Sequence, residues 1–449
     1  MMAVKETPGV FLSNFARLEK NLARNGHDWL HSKRKEAIAR FAELGFPTTK
    51  LEEWKYTNVA PLARIPFQTA EFRADGFPAE LLSERPLAHA AFSECCSRIV
   101  FVNGHYNPQL SSPDLPDRVI AGSLAAAIKR NTPSVKEHLA QYASYERHAF
   151  VALNTAFLED GAFIEVPRGV ALEAPIHLLF VSTGDEPIVS HPRSLIIVGD
   201  DSQASIIEDY VALGEGAYLT NAVTEIVVGE NAVVDHYKLE GESERAFHIA
   251  TLQVHQARSS GFTSNSISLG GGLVRNDVNV ALDGEGAECA LNGLYVVANN
   301  QHVDNHTVID HTKPHCSSRE LYKGILDDKS SAVFNGSIVV RKDAQKTDAR
   351  QSNKNLLLSE YATINSKPQL EINADDVKCT HGTSIGHLEE DSIYYLRSRG
   401  IGMDEARTVL TYGFANDVLN RMKLDAVRVR LECALLARMP GKHTQVEES

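Results

Sequence analysis

Between about residues 150 and 382 one degenerate unit returns again and again, and it constrains the fold more than any other feature. The unit is an apolar pair, a turn of Gly, Asp or Ser, an acidic residue, then a small residue opening the next apolar run. It reads LEDGAFIEV around Ala162, VGDDSQASIIE around Ala204 and VGENAVVDHY around Ala232. It returns as LDGEGAECALNG around Ala287, LDDKSSAVFNG around Ala332 and LLSEYATINS around Ala362. Ala204 and Ala232 are 28 residues apart, Ala332 and Ala362 30 apart, with larger gaps elsewhere. Many short, Val- and Ile-rich strands with a recurrent turn and no strand–helix alternation predict a β-solenoid or a sandwich. A β-helix fits better than a sandwich, because the turn and the small residue recur where successive coils would stack.

The flanks have a different texture. Residues 10–25 and 28–44 carry apolar positions at helical spacing, with Phe11, Phe15, Leu18 and Leu22 on one face. Thr7 before Pro8 reads as a helix start, and Gly45 with Pro47 as a stop. Pro61, Pro66, Pro78 and Pro86 punctuate a mixed region. A strand is expected at 98–103 and a helix over 123–145. After Gly382 the pattern turns helical again, over 389–398, then from an N-cap at Asp404 to about Met422, and over 424–439. The chain therefore divides into a mostly helical N-terminal region (1–149), a β-helix core (150–382) and a C-terminal helical partner-binding domain (383–449). The stripe Ala406, Val409, Leu410, Phe414, Val418 and Leu419 must face the solenoid, another helix or a partner, since a unit this short cannot bury it alone. The residues after Pro440 read as a polar tail.

Charge excludes several functions. A formal net charge of −13 argues against a nucleic-acid or anionic-membrane surface. No apolar run reaches membrane-spanning length, the first residues contain no secretory core, and six cysteines in 449 residues, Cys95 and Cys96 adjacent, are no disulfide framework. These features predict a soluble, acidic protein of a reducing, cytoplasmic compartment. There is no GxxxxGK[ST] phosphate loop, and Gly270 to Gly272 read as a turn between coils.

The chemistry concentrates in EINADDVKCTHGTSIG, residues 371–386, where strand pattern gives way to helix. Cys379 and His381 are two apart and leave an extended segment on one face, as a soft metal-ligand pair or a nucleophile with its base. An imidazolium this close would lower the thiol pKa. Two ligands do not close a metal site, so whatever binds is loosely held, acted on, or completed by another chain. The string HVDNHTVIDHTKPHC offers His302, His306, His311, His315 and Cys316. Strand parity puts His302 and His306 on one face and His311 and His315 on the other, which favours ladder residues over one metal site. Asp375 and Asp376 point oppositely in a strand and do not converge on a bond, so they read as a solvated turn. The run RKDAQKTDARQSNKN, 341–355, reads as a solvated face or an inter-subunit surface.

The strings LEINADDVKCTHGTSIG and IYYLRSRGI, with GFPTTKLEEWKYTN at 45–58, resemble the SufB/SufD family of SUF-system scaffold subunits for iron–sulfur cluster assembly. The likeness covers most of the chain, most closely from about Gly336. It implies a right-handed β-helix and a non-enzymatic subunit that pairs with a SufB-like homologue and docks a SufC-like ABC-type ATPase through its C-terminal helices. Such a complex builds and transfers nascent clusters and assists iron acquisition. Carried over, His381 helps form a transient cluster site at the subunit interface; Cys379 occupies the motif's cysteine, with a less secure role. Leu410, Phe414 and Val418 are the expected ATPase-docking residues, no nucleotide is bound by this chain, and a homodimer is an option when it is alone. SufB-type members typically carry a cysteine ahead of the triplet matching Leu356 to Leu358; this chain has Asn353 near that place and KCTHG in place of their acidic-alanine motif, so it resembles the other branch of the family more. Two other functional classes fit the residues less well. A β-helical lyase for acidic polysaccharides needs converging carboxylates and an aromatic cleft, and the chain has two tryptophans, Trp29 and Trp54. A purely structural homodimeric solenoid would purify alone and ignore iron and sulfide.

Overall fold

The computed structural model describes residues 9–22, 28–70, 96–183 and 187–439. The expected cap at Thr7 and Pro8, the punctuation at Pro78 and Pro86, Cys95 and the tail at 441–449 lie outside the described residues. Strand accounts for 42% and helix for 24%, in a β-solenoid of about 7 turns between two helical flanks. From Tyr218–Val228 onward consecutive strands fall alternately into two sheets, and each pairs in parallel with the strand two before it. One sheet stacks Tyr218–Val228, Phe247–Gln256, Leu273–Leu282, His302–His311, Ser331–Val340 and Thr363–Ile372. The other stacks Val233–Gly241, Gly261–Ser268, Glu288–Val297, Ser317–Leu326, Asp348–Leu357 and Lys378–Gly386.

The repeat unit explains this stacking. Asp201, Asn231, Asn299 and Asp328 take positive φ at the corners, a conformation their short polar side chains tolerate through local hydrogen bonds. The following small residue turns inward: of the six repeat alanines five have no exposure and Ala362 only 5%. The Gly270–Gly272 turn lies so close to the preceding coil that a Cβ on Gly270 would sit 2.2 Å from the Glu242 carbonyl oxygen.

Parallel sheets need cover on both faces. Phe11, Phe15, Phe41 and Phe150 pack on Val189, Leu219, Ile249 and Leu273 of one sheet. Ala415, Val418, Leu419, Leu431 and Leu435 pack on Ile207, Leu239, Ile267, Leu294 and Leu321 of the other. The N-terminal block is also clipped on by polar contacts. The Arg275 guanidinium lies 3.8 Å from the Trp54 ring centroid and donates to the Glu53 carbonyl and to Asp304, both at 2.7 Å. His306 lies 3.0 Å from Asp304, and Thr57 lies 2.8 Å from the His302 ring. Buried Asp304 would be pushed up by desolvation, but Arg275 and His306 hold it below the usual carboxylate range.

Local expectations differ from the structure in four places. The helix expected over 123–145 is two short ones, Leu124–Lys129 and Pro133–His138, because Pro133 forces Thr132 out of the helical region. Helix Ala149–Ala156 is buried on nearly every side, so it has no polar face to reveal a period. The strand Ser97–Val102 pairs in parallel with Ile176–Thr183 and so joins the solenoid ahead of residue 150. Helix Met403–Leu419 is capped at Gly402, with Asp404 inside its first turn.

Candidate functional site

The last coil, Thr363–Ile372 and Lys378–Gly386, has no described coil beyond it, so one edge of each strand is unpaired and its inward-facing side chains look out of the solenoid's end. Parity assigns those side chains. Cys379, His381, Thr383 and Ile385 are the Cα partners of Ala349, Gln351, Asn353 and Asn355, all four of which are buried on the inner face. His381 is therefore exposed at the mouth of a closed interior, two residues from a half-buried Cys379. Ile372 and Ile385 are also exposed at this end, and Tyr361, Tyr394 and Tyr395 are exposed nearby in the chain.

The two sequence-predicted ligands are not equivalent. Cys379 packs against a small apolar cluster with Ile338, Val340, Ala349 and Ala374. Burial pushes its thiol above the ordinary value, partly offset by a hydrogen bond with the Ala349 backbone. The thiolate expected from an adjacent imidazolium is thus not favoured. Buried Cys289 and Cys316 are raised for the same reason. Among the described residues no three of His, Cys, Asp and Glu converge to hold a metal ion. The histidine string is dispersed: His302 and His306 join the N-terminal clip, His311 turns inward beside Ser318, and exposed His315 sits in a turn with positive φ. Asp376 is a turn residue paired with Lys346.

Behind the mouth the interior is polar. Tyr295 donates to Asn355, Asn355 to Asn353 at 2.6 Å, Ser366 to Asn353 at 2.8 Å, and Thr383 to Ser366 at 3.0 Å. Asn353 also donates to the Tyr322 carbonyl at 3.3 Å. In the next column Gln351 donates to Glu320 at 2.6 Å. Deeper inside, Lys238 bonds Glu240 and Asn276, and His248 lies 3.2 Å from Glu240. Burial would raise Glu240, but Lys238 and His248 outweigh it and hold the carboxyl at about 2.

This polar interior was not foreseen, although its signal is in the strand parity. In VVDHYKLEG, His236, Lys238 and Glu240 share the face of buried Val234. The run 341–355, expected to be solvated, is exposed over Arg341, Lys342 and Asp343 but alternates along its strand: Arg350 and Lys354 are exposed, whereas Gln351, Asn353 and Asn355 are inside.

Two of the three expected docking residues are corrected as well. Val418 has no exposure, and Leu410 and Phe414 are half-buried, Phe414 packing on the solenoid cluster with Lys323 4.5 Å from its ring. Phe414, Val418 and Leu419 face the chain's own sheet, whereas Val409 of the same stripe is exposed together with Met403 and Val429. No helix among the described residues is long and apolar enough to cross a membrane.

Two family models match the chain: "SUF system FeS cluster assembly, SufBD core domain" over residues 180–414 and "SufBD protein N-terminal region" over 6–178. The chain is 35% identical over 419 residues to an iron-sulfur cluster assembly SufBD family protein of Synechocystis, covering 91% of each. It is 31% identical over 407 residues to the iron-sulfur cluster assembly protein SufD of Escherichia coli, covering 90% of this chain and 92% of that one. Protein ABCI7, chloroplastic, of Arabidopsis thaliana is 36% identical over 330 residues, 72% of this chain and 69% of that one.

Proposed function

Because the chain belongs to the SufBD family of SUF-system iron–sulfur cluster assembly proteins, we propose that it is a non-catalytic subunit of a scaffold complex of the SufBCD type. In this reading the open end of the solenoid pairs with a homologous SufB-like chain, and the nascent cluster is cargo assembled between them. The observation that carries the reading is His381, exposed on the inner face of a coil whose edges are free. Free strand edges invite pairing with another chain, and the exposed Ile372 and Ile385 give that contact an apolar element. A histidine alone at the mouth offers an open half-site. A cargo that must be released needs such a site, whereas a closed four-ligand set would retain it.

A SufC-like ABC-type ATPase would dock on the C-terminal helices by the face that carries Met403 and Val409, since the opposite stripe is occupied by the solenoid. Cys379 serves as a packing thiol in this scheme, and the soft sulfur ligand comes from the partner. The test is His381→Ala in the co-expressed complex, scored by subunit stoichiometry and by cluster formed per complex on reconstitution with iron and sulfide. The expected result is an intact complex with much reduced cluster; full cluster yield would remove His381 from the ligand set.

A further inference from the structure

A histidine that ligates through one ring nitrogen needs a partner for the other, because that second hydrogen bond selects the tautomer and fixes the ring. The His381 ring has no such partner among the described residues, yet the residue beneath it has unused capacity. His381, Gln351 and Glu320 are successive Cα partners in three adjacent strands, so their side chains stack in one column at about 4.8 Å spacing. Gln351 is 3% exposed, and its Nε2 donates to Glu320 Oε2 at 2.6 Å. Its Oε1 is buried without a partner. An orphaned buried carbonyl is rare enough in folded proteins to need a reason.

The orientation of that amide is determined by its surroundings. When ionised, the Glu320 carboxylate only accepts hydrogen bonds, and it then requires the NH₂ end of Gln351 to turn inward. The two ends of a planar amide diverge, and Oε1 then faces away from the Glu320 coil. Gly336, on the opposite sheet, leaves room for this arrangement: a Cβ there would lie 2.2 Å from Gln351 Nε2 and 2.8 Å from Phe334 Cζ. Glu320 is the inner anchor, with a carboxyl that burial pushes up to about 7.

We propose that Gln351, oriented by Glu320, is a positioning residue for His381: Gln351 Oε1 accepts the ring N–H and leaves the other ring nitrogen, lone pair outward, for an incoming metal ion. The proposal rests on the reading of His381 as a ligand. It extends that reading to why one nitrogen is presented, and it places a specificity element inside the solenoid, where this chain alone supplies it.

The test uses the full-length chain with ¹⁵N-labelled histidine, at a pH well above neutral so that Glu320 is ionised. The tautomer of His381 is read from long-range ¹H–¹⁵N correlations, assigned by the signal lost in His381→Asn. Wild type is expected to hold one tautomer. Glu320→Gln keeps the shape but can donate as well as accept, so it no longer dictates which end of Gln351 faces out; His381 should relax toward the mixture of a solvent-exposed imidazole. Gln351→Met should do the same, and if that variant fails to fold, Glu320→Gln with an unchanged circular dichroism spectrum carries the decision. A free-imidazole pattern in wild type, or the same pattern in wild type and Glu320→Gln, overturns the proposal. In the complex, Glu320→Gln should weaken apparent iron affinity by about tenfold, in the range of lost outer-shell partners; unchanged affinity also counts against it. If His381→Ala leaves cluster yield intact, the ligand reading fails, while the tautomer measurement still decides the positioning on its own.

Discussion

Replacing Val418 by Asp separates a partner-docking stripe from an internal seam. Val418 is fully buried on helix Met403–Leu419 against a cluster that includes Leu294, Leu321 and Ile325. Losing a fully buried valine costs about 1.5–3 kcal/mol, and a carboxyl left there without a hydrogen-bond partner adds about 1–3 kcal/mol even after it takes up a proton. The sum, about 2.5–6 kcal/mol, is a large part of the roughly 5–15 kcal/mol that holds a typical domain together. It falls on two helices rather than on the solenoid, whose inner core is a separate cluster. The helical tail should therefore open sub-globally while the coils persist. At 1.4 kcal/mol per tenfold, amide protection over 403–437 should fall roughly 10²- to 10⁴-fold, with the β-signature of the coils retained. Hydrogen exchange resolved by mass spectrometry reads both. Met403→Asp, at a site 44% exposed, should leave protection unchanged and weaken only ATPase capture. If Val418→Asp keeps full protection and loses only the ATPase, the stripe is a docking face and the inward packing is refuted.

Three further outcomes follow from the same physical terms. Glu320 holds its proton to about 7, above its unfolded value, so its cost to folding is absent below pH ~4 and grows as pH rises from there to about 7; Glu320→Gln should remove about 3 kcal/mol of that decline in denaturant titrations at stepped pH, and an identical pH profile would count against a buried, raised carboxyl. Arg275→Met leaves buried Asp304 without its guanidinium and should cost about 3–5 kcal/mol, seen as a lower midpoint in urea and as proteolysis near Trp54; a neutral effect would mean the clip adds nothing. Ile385→Lys, at a site 52% exposed, should change the chain's own stability by less than about 0.5 kcal/mol while reducing capture of a SufB-like partner, and undiminished capture would move the interface elsewhere.

Much of the architecture was legible because it is local. The Gly, Asp and Asn corners and the alanines after them mark coil after coil, and a period-2 pattern over buried strands leaves little choice of register. His381 was legible through its motif and through parity with Cys379. Parity also contained the polar interior, but a charged residue on an inward face reads as an error in the pattern until neighbouring coils supply partners for it. Lys238 is acceptable inside only because Glu240, from its own strand, and Asn276, 38 residues further along the chain, meet it there.

What the tertiary structure decided was what each side chain faces. Sequence assigned Phe414 and Val418 to a docking partner, but the outer face of the chain's own sheet packs them instead. Sequence put a thiol beside an imidazole, yet the Cys379 proton affinity follows from the apolar cluster around it, which includes residues some forty positions earlier. The same holds for Gln351, whose unpaired oxygen is visible only once Glu320 and Gly336 fix the other end of its amide. Period and turn chemistry are written in neighbouring residues; burial, pairing and proton affinity depend on distances between residues that the coil brings together from about thirty positions apart.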